Sequence, residues 1–514
     1  MDEKSNEYGY PFEKPQKNFD KADAIVAIIL FVIGYFIANW NLFLNGPHGL
    51  GTLTLIVAMA IISCVYMHVK GIKLTKKASA QLVLIVILSL PLLLSSDPFI
   101  KFLVSSYSNI SFVYWFFCAC GNREENKIGD MLFFDLVKST LLLPFSCFTD
   151  IFHAIGRSVK STSFGKKAGL AIIGIIIAIV PTMIVTGLLI SADEAFFNLF
   201  DKLYDNIFAD LGEKIFYFIL GIPVAMYIFG FLFSNVTHEK KDLMTREQNE
   251  KSASVIRFLP SVVTCAAITP IILVYILFFF SQTSYFLSAF SGIRPEDVTY
   301  AEYARKGFFE LCGVSIINAI IIICSSVFTK RSEKRAPLCV RIYTVILSAF
   351  TLALIAIALS KMLMYIDAYG LSILRIYPTW FMILLALIFI FIIIKQICFK
   401  FNLARTLAIA FTIMFAVLIF SDTDAIVARY NIDAYKTGKL DTVDVWMLHD
   451  MSDSVVEYVI PLVNDEKQHI REAAESLISK RKKHFENTED SFADFNLSTW
   501  RAKKAIDAYY KETK

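Results

Sequence analysis

Eleven apolar runs, each long enough to cross the hydrocarbon core of a bilayer, leave this chain few ways to fold. A core of about 30 Å needs roughly twenty helical residues to span it. Runs bounded by charge, Gly or Pro lie at approximately 24–44, 51–69, 80–97, 102–120, 168–191, 215–235, 258–282, 307–329, 340–362, 376–396 and 404–421. The third and fourth are the weakest, each being short or rich in Ser. No backbone polar group can stay unpaired in hydrocarbon, so such runs must be helices. Of the 514 residues 56% are hydrophobic and only 19% are charged, too few charges to cover a soluble globule of this length. The expectation is an all-α polytopic transmembrane helical bundle of about eleven spans over 24–421. A polar tail at 1–23 precedes it and a small helical domain at 422–514 follows.

Lys and Arg set the orientation, because basic residues in short loops resist translocation. Lys70, Lys73, Lys76 and Lys77 follow the second run, and Arg157, Lys160, Lys166 and Lys167 precede the fifth. Lys240, Lys241, Arg246 and Lys251 follow the sixth, and Lys330, Arg331, Lys334 and Arg335 the eighth. All fall on one side if the amino terminus is cytoplasmic, and an odd number of spans then puts the carboxyl-terminal domain outside. Residues 1–23 carry no cleavage signal, so the first run reads as an uncleaved signal-anchor. Asp135, Lys138, Pro144 and Asp150 interrupt the apolar stretch 131–155, which reads as an interfacial or re-entrant helix pair. In the tail Ile470, Ala473, Ala474, Leu477 and Ile478 recur at helical spacing, and Ser498 precedes a final helix containing Trp500, Ala502 and Ile506.

Several chemistries are excluded. The net charge of +4 is spread over short loops, which argues against a nucleic-acid partner. Of nine cysteines only Cys118 and Cys120 are close neighbours, with no His beside them, so neither a metal nor a cofactor is expected. No Gly-rich phosphate loop, zinc-protease motif or nucleophile elbow occurs, and the seven His are scattered.

Four polar strings remain. Ser191-Ala-Asp193-Glu194 places two carboxylates at the end of the fifth run; it reads as a capping box led by Ser191 in preference to an acid–base pair. After it, Phe196, Phe200, Leu203 and Ile207 mark an amphipathic helix over 192–211 lying on the outer surface. In the second string Glu302, Lys306 and Glu310 stand four apart, an ion ladder on a helix. Glu310 lies a turn inside an apolar run, where a charge must find a partner such as Lys306 or Arg305 or serve a function. Third come Lys361, Tyr365, Asp367, Tyr369, Gly370, Arg375 and Tyr377, which read as an interfacial Tyr belt around a tight turn in preference to a binding site. The fourth, Ala428-Arg429-Tyr430-Asn431, either braces the tail or joins an outer site.

Taken together, Ser191-Ala-Asp-Glu-Ala-Phe196, Tyr300-Ala-Glu-Tyr-Ala-Arg-Lys-Gly-Phe-Phe-Glu-Leu311, Tyr365-Ile-Asp-Ala-Tyr-Gly-Leu371 with Arg375, and Ala428-Arg-Tyr-Asn431 resemble the bacterial multi-pass family known as domain of unknown function 4173, and its relative 4153. The resemblance runs from about residue 160 to the end. Ser372 stands where the family carries Thr, which keeps the hydroxyl. The resemblance implies a bacterial cytoplasmic membrane protein and brings no activity with it.

The expected working surface faces outward and combines Asp193, Glu302, Arg305, Glu310, Lys361, Asp367, Arg375 and Arg429. Carboxylates mixed with guanidinium groups suit anionic lipid headgroups, an envelope protein or an envelope polymer. The leading reading is therefore a binding or scaffolding protein. An envelope-modifying enzyme is an alternative, with Asp193, Glu302 or Glu310 as base and Arg305 or Arg375 on phosphate. A transporter is a third reading, weakened by the scarcity of mid-span charges and the lack of an internal repeat.

Overall fold

The computed structural model describes residues 18–41, 48–123, 129, 132–159, 174, 178, 181–182, 185–193, 196–197, 209–237, 256–291, 300–330, 336–488 and 491–512. The described residues form helices and one isolated bridge, Leu259 with Thr329. Ten of the helices are long and apolar enough to cross a membrane, or eleven if a bent pair counts as one span. The ten coincide with ten of the eleven predicted runs. The remaining run, 168–191, lies largely outside the described residues, as do residues 1–17 and most of the amphipathic segment 192–211. The bent pair is Leu132–Ser146 with Asp150–Gly156, at 47°. It falls on the interrupted stretch 131–155, and a π-helical turn at Lys138–Leu142 precedes Pro144. A proline ring clashes with the carbonyl one turn back, which a widened turn relieves.

The chain forms two compact units. The smaller comprises Met1–Phe43, Ala58–Thr75 and Ser139–Lys240. Here α1 (Lys21–Asn41) packs along a long later helix, Ala209–Val236. Their crossing is close because both contribute Gly: a Cβ on Gly221 would lie 2.7 Å from the backbone of Gly34 and Tyr35, the small-residue packing typical of membrane helices. At the start of α1, Asp20 and Asp23 cap each other's backbone N–H at 3.0 and 2.8 Å. Lys70, just past α2 (Leu50–Val69), reaches Asp20 at 2.9 Å and the fully buried Asp23 at 2.6 Å, and Tyr66 donates to Asp23 at 2.7 Å.

The larger unit comprises Leu44–Val57, Lys76–Lys138 and Lys241–Lys514. Its helices include α3 (Lys76–Ser89), α4 (Pro98–Ala119), α5 (Ser261–Ser291), α6 (Tyr300–Phe328), α7 (Leu338–Tyr369), α8 (Ile373–Ile397) and α9 (Leu403–Phe420). The α4 start corrects the sequence reading by a turn. Asp97 caps it and Pro98 opens it, so Lys101 belongs to the first turn of a spanning helix and not to the preceding loop. Pro270 and Pro378 lie inside continuous helices.

The chain leaves α9 through Asp422, whose φ of 44° is left-handed, and enters α10 (Thr423–Lys436). With α11 (Gln468–Asn487) and α12 (Leu497–Glu512), α10 encloses a core of Val427, Leu448, Val459, Ile470, Ala474, Leu477, Ile478 and Ile506, each at most 3% exposed. The residues predicted from helical spacing at 470–478 are all among the buried ones.

Candidate functional site

The α7–α8 turn and the first tail helix form a joint. Gly370 has φ of 77°, a conformation that costs side-chain-bearing residues about 1–2 kcal/mol. Directly after it, the Asn431 side chain accepts a hydrogen bond from Leu371 N at 2.7 Å and donates one to Leu371 O at 2.8 Å. Lys439 reaches Asp367 at 2.8 Å and the Tyr430 hydroxyl at 3.4 Å. These partners hold the exposed Lys439 above the usual lysine range, the Asp367 hydrogen bond foremost. Arg375 lies over the Tyr365 ring at 4.0 Å and donates to the carbonyls of Gly370 and Tyr369. Arg429 stands 3.7 Å from Asp433 along its own helix, both exposed. Two of the four strings quoted above, 365–371 with 375 and 428–431, are thus opposite halves of one contact.

The other predicted residues lie elsewhere. Glu310 is exposed on α6 and close enough to Lys361 of α7 for their charges to interact. Lys306, the partner that the predicted ladder gives it, has its side chain outside the described residues. Glu302 and Arg305 sit on α6 with side chains outside the described residues. Asp193, in the smaller unit, accepts from Phe196 N at 2.8 Å, while Ser191 donates back to Gly187 O. Asp193 thus caps that turn, and the predicted Ser191-led box rests on Glu194, which lies outside the described residues.

None of the described candidates lines a cavity of about 1140 Å³ in the larger unit. Its floor is the start of α4 and α8, and its roof is the tail. Asp97 accepts from Phe99 N at 2.8 Å and from the Tyr377 hydroxyl at 3.3 Å. Asp424 is buried and accepts from Ser452 N at 2.7 Å. Burial pushes its carboxyl up, the Ser452 hydrogen bonds pull it down, and the charges of Asp97 and Asp422 lift it again, leaving it above the ordinary carboxylate range. Asp453 is held by Arg481 at 3.2 Å and by Thr499 at 2.6 Å, and its N–H donates to Ser96 at 2.9 Å. Lys101 projects from the first turn of α4 and makes no ion pair among the described residues. Asp494, Asp453 and Asp97 all lie near enough to feel its charge.

Sequence reading missed these residues because their partners are hundreds of positions away, as in Ser96 with Ser498 at 3.1 Å. The one local signal was Ser95-Ser96-Asp97-Pro98, a helix-start pattern with a lone Lys three residues on. A second space of about 500 Å³, between α8, α9 and Gly129, Leu132 and Phe133, is lined by apolar side chains with Gly129.

Comparison with curated proteins and with solved structures gives no match. A family model does match, described as a domain of unknown function, DUF4153, over residues 25–462. The match is to the relative of the family whose strings were quoted above. It begins at the first span, well before residue 160, and ends inside the tail before α11. Covering most of the chain and both halves of the α7–α10 joint, it makes this protein a member of the DUF4153 family.

Proposed function

We propose that this chain is a binding or scaffolding protein of the bacterial cytoplasmic membrane that holds an envelope partner, or a lipid with an anionic group in its headgroup, on its outward side. One observation carries the reading: the cavity between the tail and the span ends, with Lys101 turned into it and no ion-pair partner for that cation among the described residues. Water alone is a poor reason to keep a half-buried ammonium in an otherwise paired polar network, whereas a ligand anion gives it a charge-assisted hydrogen bond. In this reading Asp367, through Lys439, and Asn431, through Leu371, hold the roof in place, and the ligand is met by the residues beneath it.

Photo-crosslinking tests it. p-Benzoylphenylalanine in place of Trp500, on the cavity wall, is expected to give an adduct in intact cells that Lys101→Gln removes. The same group in place of Glu472, exposed on α11, is expected to give none. Equal labelling from both positions, or an adduct indifferent to Lys101→Gln, overturns the reading.

A further inference from the structure

The charge of the cavity narrows its ligand. Among its lining residues five carboxylates, Asp97, Asp424, Asp450, Asp453 and Asp494, face three fixed cations, Lys101, Arg481 and Lys503. A purely anionic ligand would meet a net acidic wall. A purely cationic one would leave Lys101 unanswered. Lys101 feels Asp494, Asp453 and Asp97, yet no ion pair between it and any of them closes among the described residues, so an interval separates the cation from the anions. Such an interval suits a ligand with its own anion and cation a few bonds apart, each completing a pair the protein leaves open.

The rim supplies the second constraint. Phe99 is 48% exposed and Leu374 78%, both on the first turns of spanning helices, and Phe495 and Trp500 are 40% and 49% exposed opposite them. Apolar side chains bare at the end of a membrane bundle are covered by hydrocarbon at a gain of about 25 cal/mol per Å². A ligand with chains reaching past them gains that term, and a free soluble zwitterion does not.

Resting on the binding reading above, we infer that the cavity takes the headgroup of an ethanolamine-type aminophospholipid, its phosphate on Lys101, its ammonium toward Asp494 and Asp97, and its acyl chains leaving past Phe99 and Leu374. Asp494 is half-exposed and meets a His48 ring. That leaves its second oxygen for an ammonium.

The test is binding of short-chain lipids to the purified full chain in detergent, with folding of each variant checked by gel filtration. Dihexanoyl phosphatidylethanolamine is expected to bind at least about tenfold more tightly than dihexanoyl phosphatidylglycerol or free phosphoethanolamine. Lys101→Gln and Asp494→Asn should each weaken it about tenfold, and Asp494→Asn should leave the phosphatidylglycerol value unchanged or improved. Phosphatidylglycerol binding as tightly, with Lys101 dependence alone, overturns the zwitterion and leaves the binding reading standing. Phosphoethanolamine binding as tightly as the lipid overturns the membrane source. Absence of binding by every probe overturns the inference, while the crosslinking result judges the cavity separately. The ranking on the unmodified chain decides the matter even if a variant misfolds.

Discussion

Gly370 concentrates two demands on one residue. Its φ of 77° is left-handed, and a Cβ there would run into the Asn431 amide oxygen and sit 3.1 Å from Leu440 Cδ1. Gly370→Ala therefore strains the turn by about 1–2 kcal/mol and dislodges an amide that satisfies both polar groups of Leu371. Each orphaned group adds about 1–3 kcal/mol where water is excluded. The two effects are coupled, so the expected loss is about 2–4 kcal/mol of tail docking. It would appear as faster hydrogen exchange over 423–436, with Asn431→Ala producing most of the same change. Unaltered protection in Gly370→Ala would mean that α10 is held chiefly by its apolar contacts. Nothing in the sequence around Gly370 names its partner, because Asn431 is sixty positions on.

Helices were the legible layer, and helix ends were not. A run of twenty apolar residues has one stable conformation in lipid, so ten spans could be located, though α5, α6 and α7 run about two turns beyond their predicted runs at one end; the tail core at 470–478 followed from its period. What sequence reading left open were contacts set by packing: Lys361 feels the charge of Glu310 from a neighbouring helix, Asp193 caps at Phe196, and Lys101 lies inside α4. The clasp joining the start of α1 to the end of α2 shows what such ends contribute. Burial lifts Asp20, but hydrogen bonds and the charge of Lys70 outweigh it, and its carboxyl falls below the usual range. Burial likewise lowers Lys70, and the Asp23 and Asp20 contacts outweigh it in the opposite direction. A depressed carboxyl stabilises the fold above its unfolded pKa, about 4, and loses that contribution as pH falls through the lower folded value. A raised ammonium stabilises below about 10.4 and loses its contribution as pH rises past its folded value. Thermal unfolding of the purified protein should show a plateau between these limits with a decline at each end. Lys70→Met should lower stability at neutral pH by about 3 kcal/mol, since Asp23 stays buried without its cation, and should flatten the alkaline decline. An alkaline limb unchanged in Lys70→Met would assign that decline to other groups.

Across the molecule, contacts at the ends of helices carry information about sidedness. In the larger unit Gly51 N bonds Ala493 O, Ser96 bonds Ser498, and Leu371 bonds Asn431. The loops ahead of α2, between α3 and α4, and between α7 and α8 therefore share one end with the tail. In the smaller unit Asp20 before α1 meets Lys70 after α2, as two consecutive spans require. This parity is the one that the basic loops produce, and with a cytoplasmic amino terminus it turns the tail and its cavity outward. Whether the ligand is an envelope molecule depends on that direction more than on any single residue. On a background with the nine cysteines replaced, a single Cys at Ser491, on the cavity wall, should react with an impermeant maleimide in intact cells. A single Cys at Lys73, in the basic loop, should react only after permeabilisation. The opposite pattern would turn the cavity toward the cytoplasm. Lys101 and its facing carboxylates would still be a binding site there, and the aminophospholipid would have to come from the inner leaflet, but the envelope partner would be excluded.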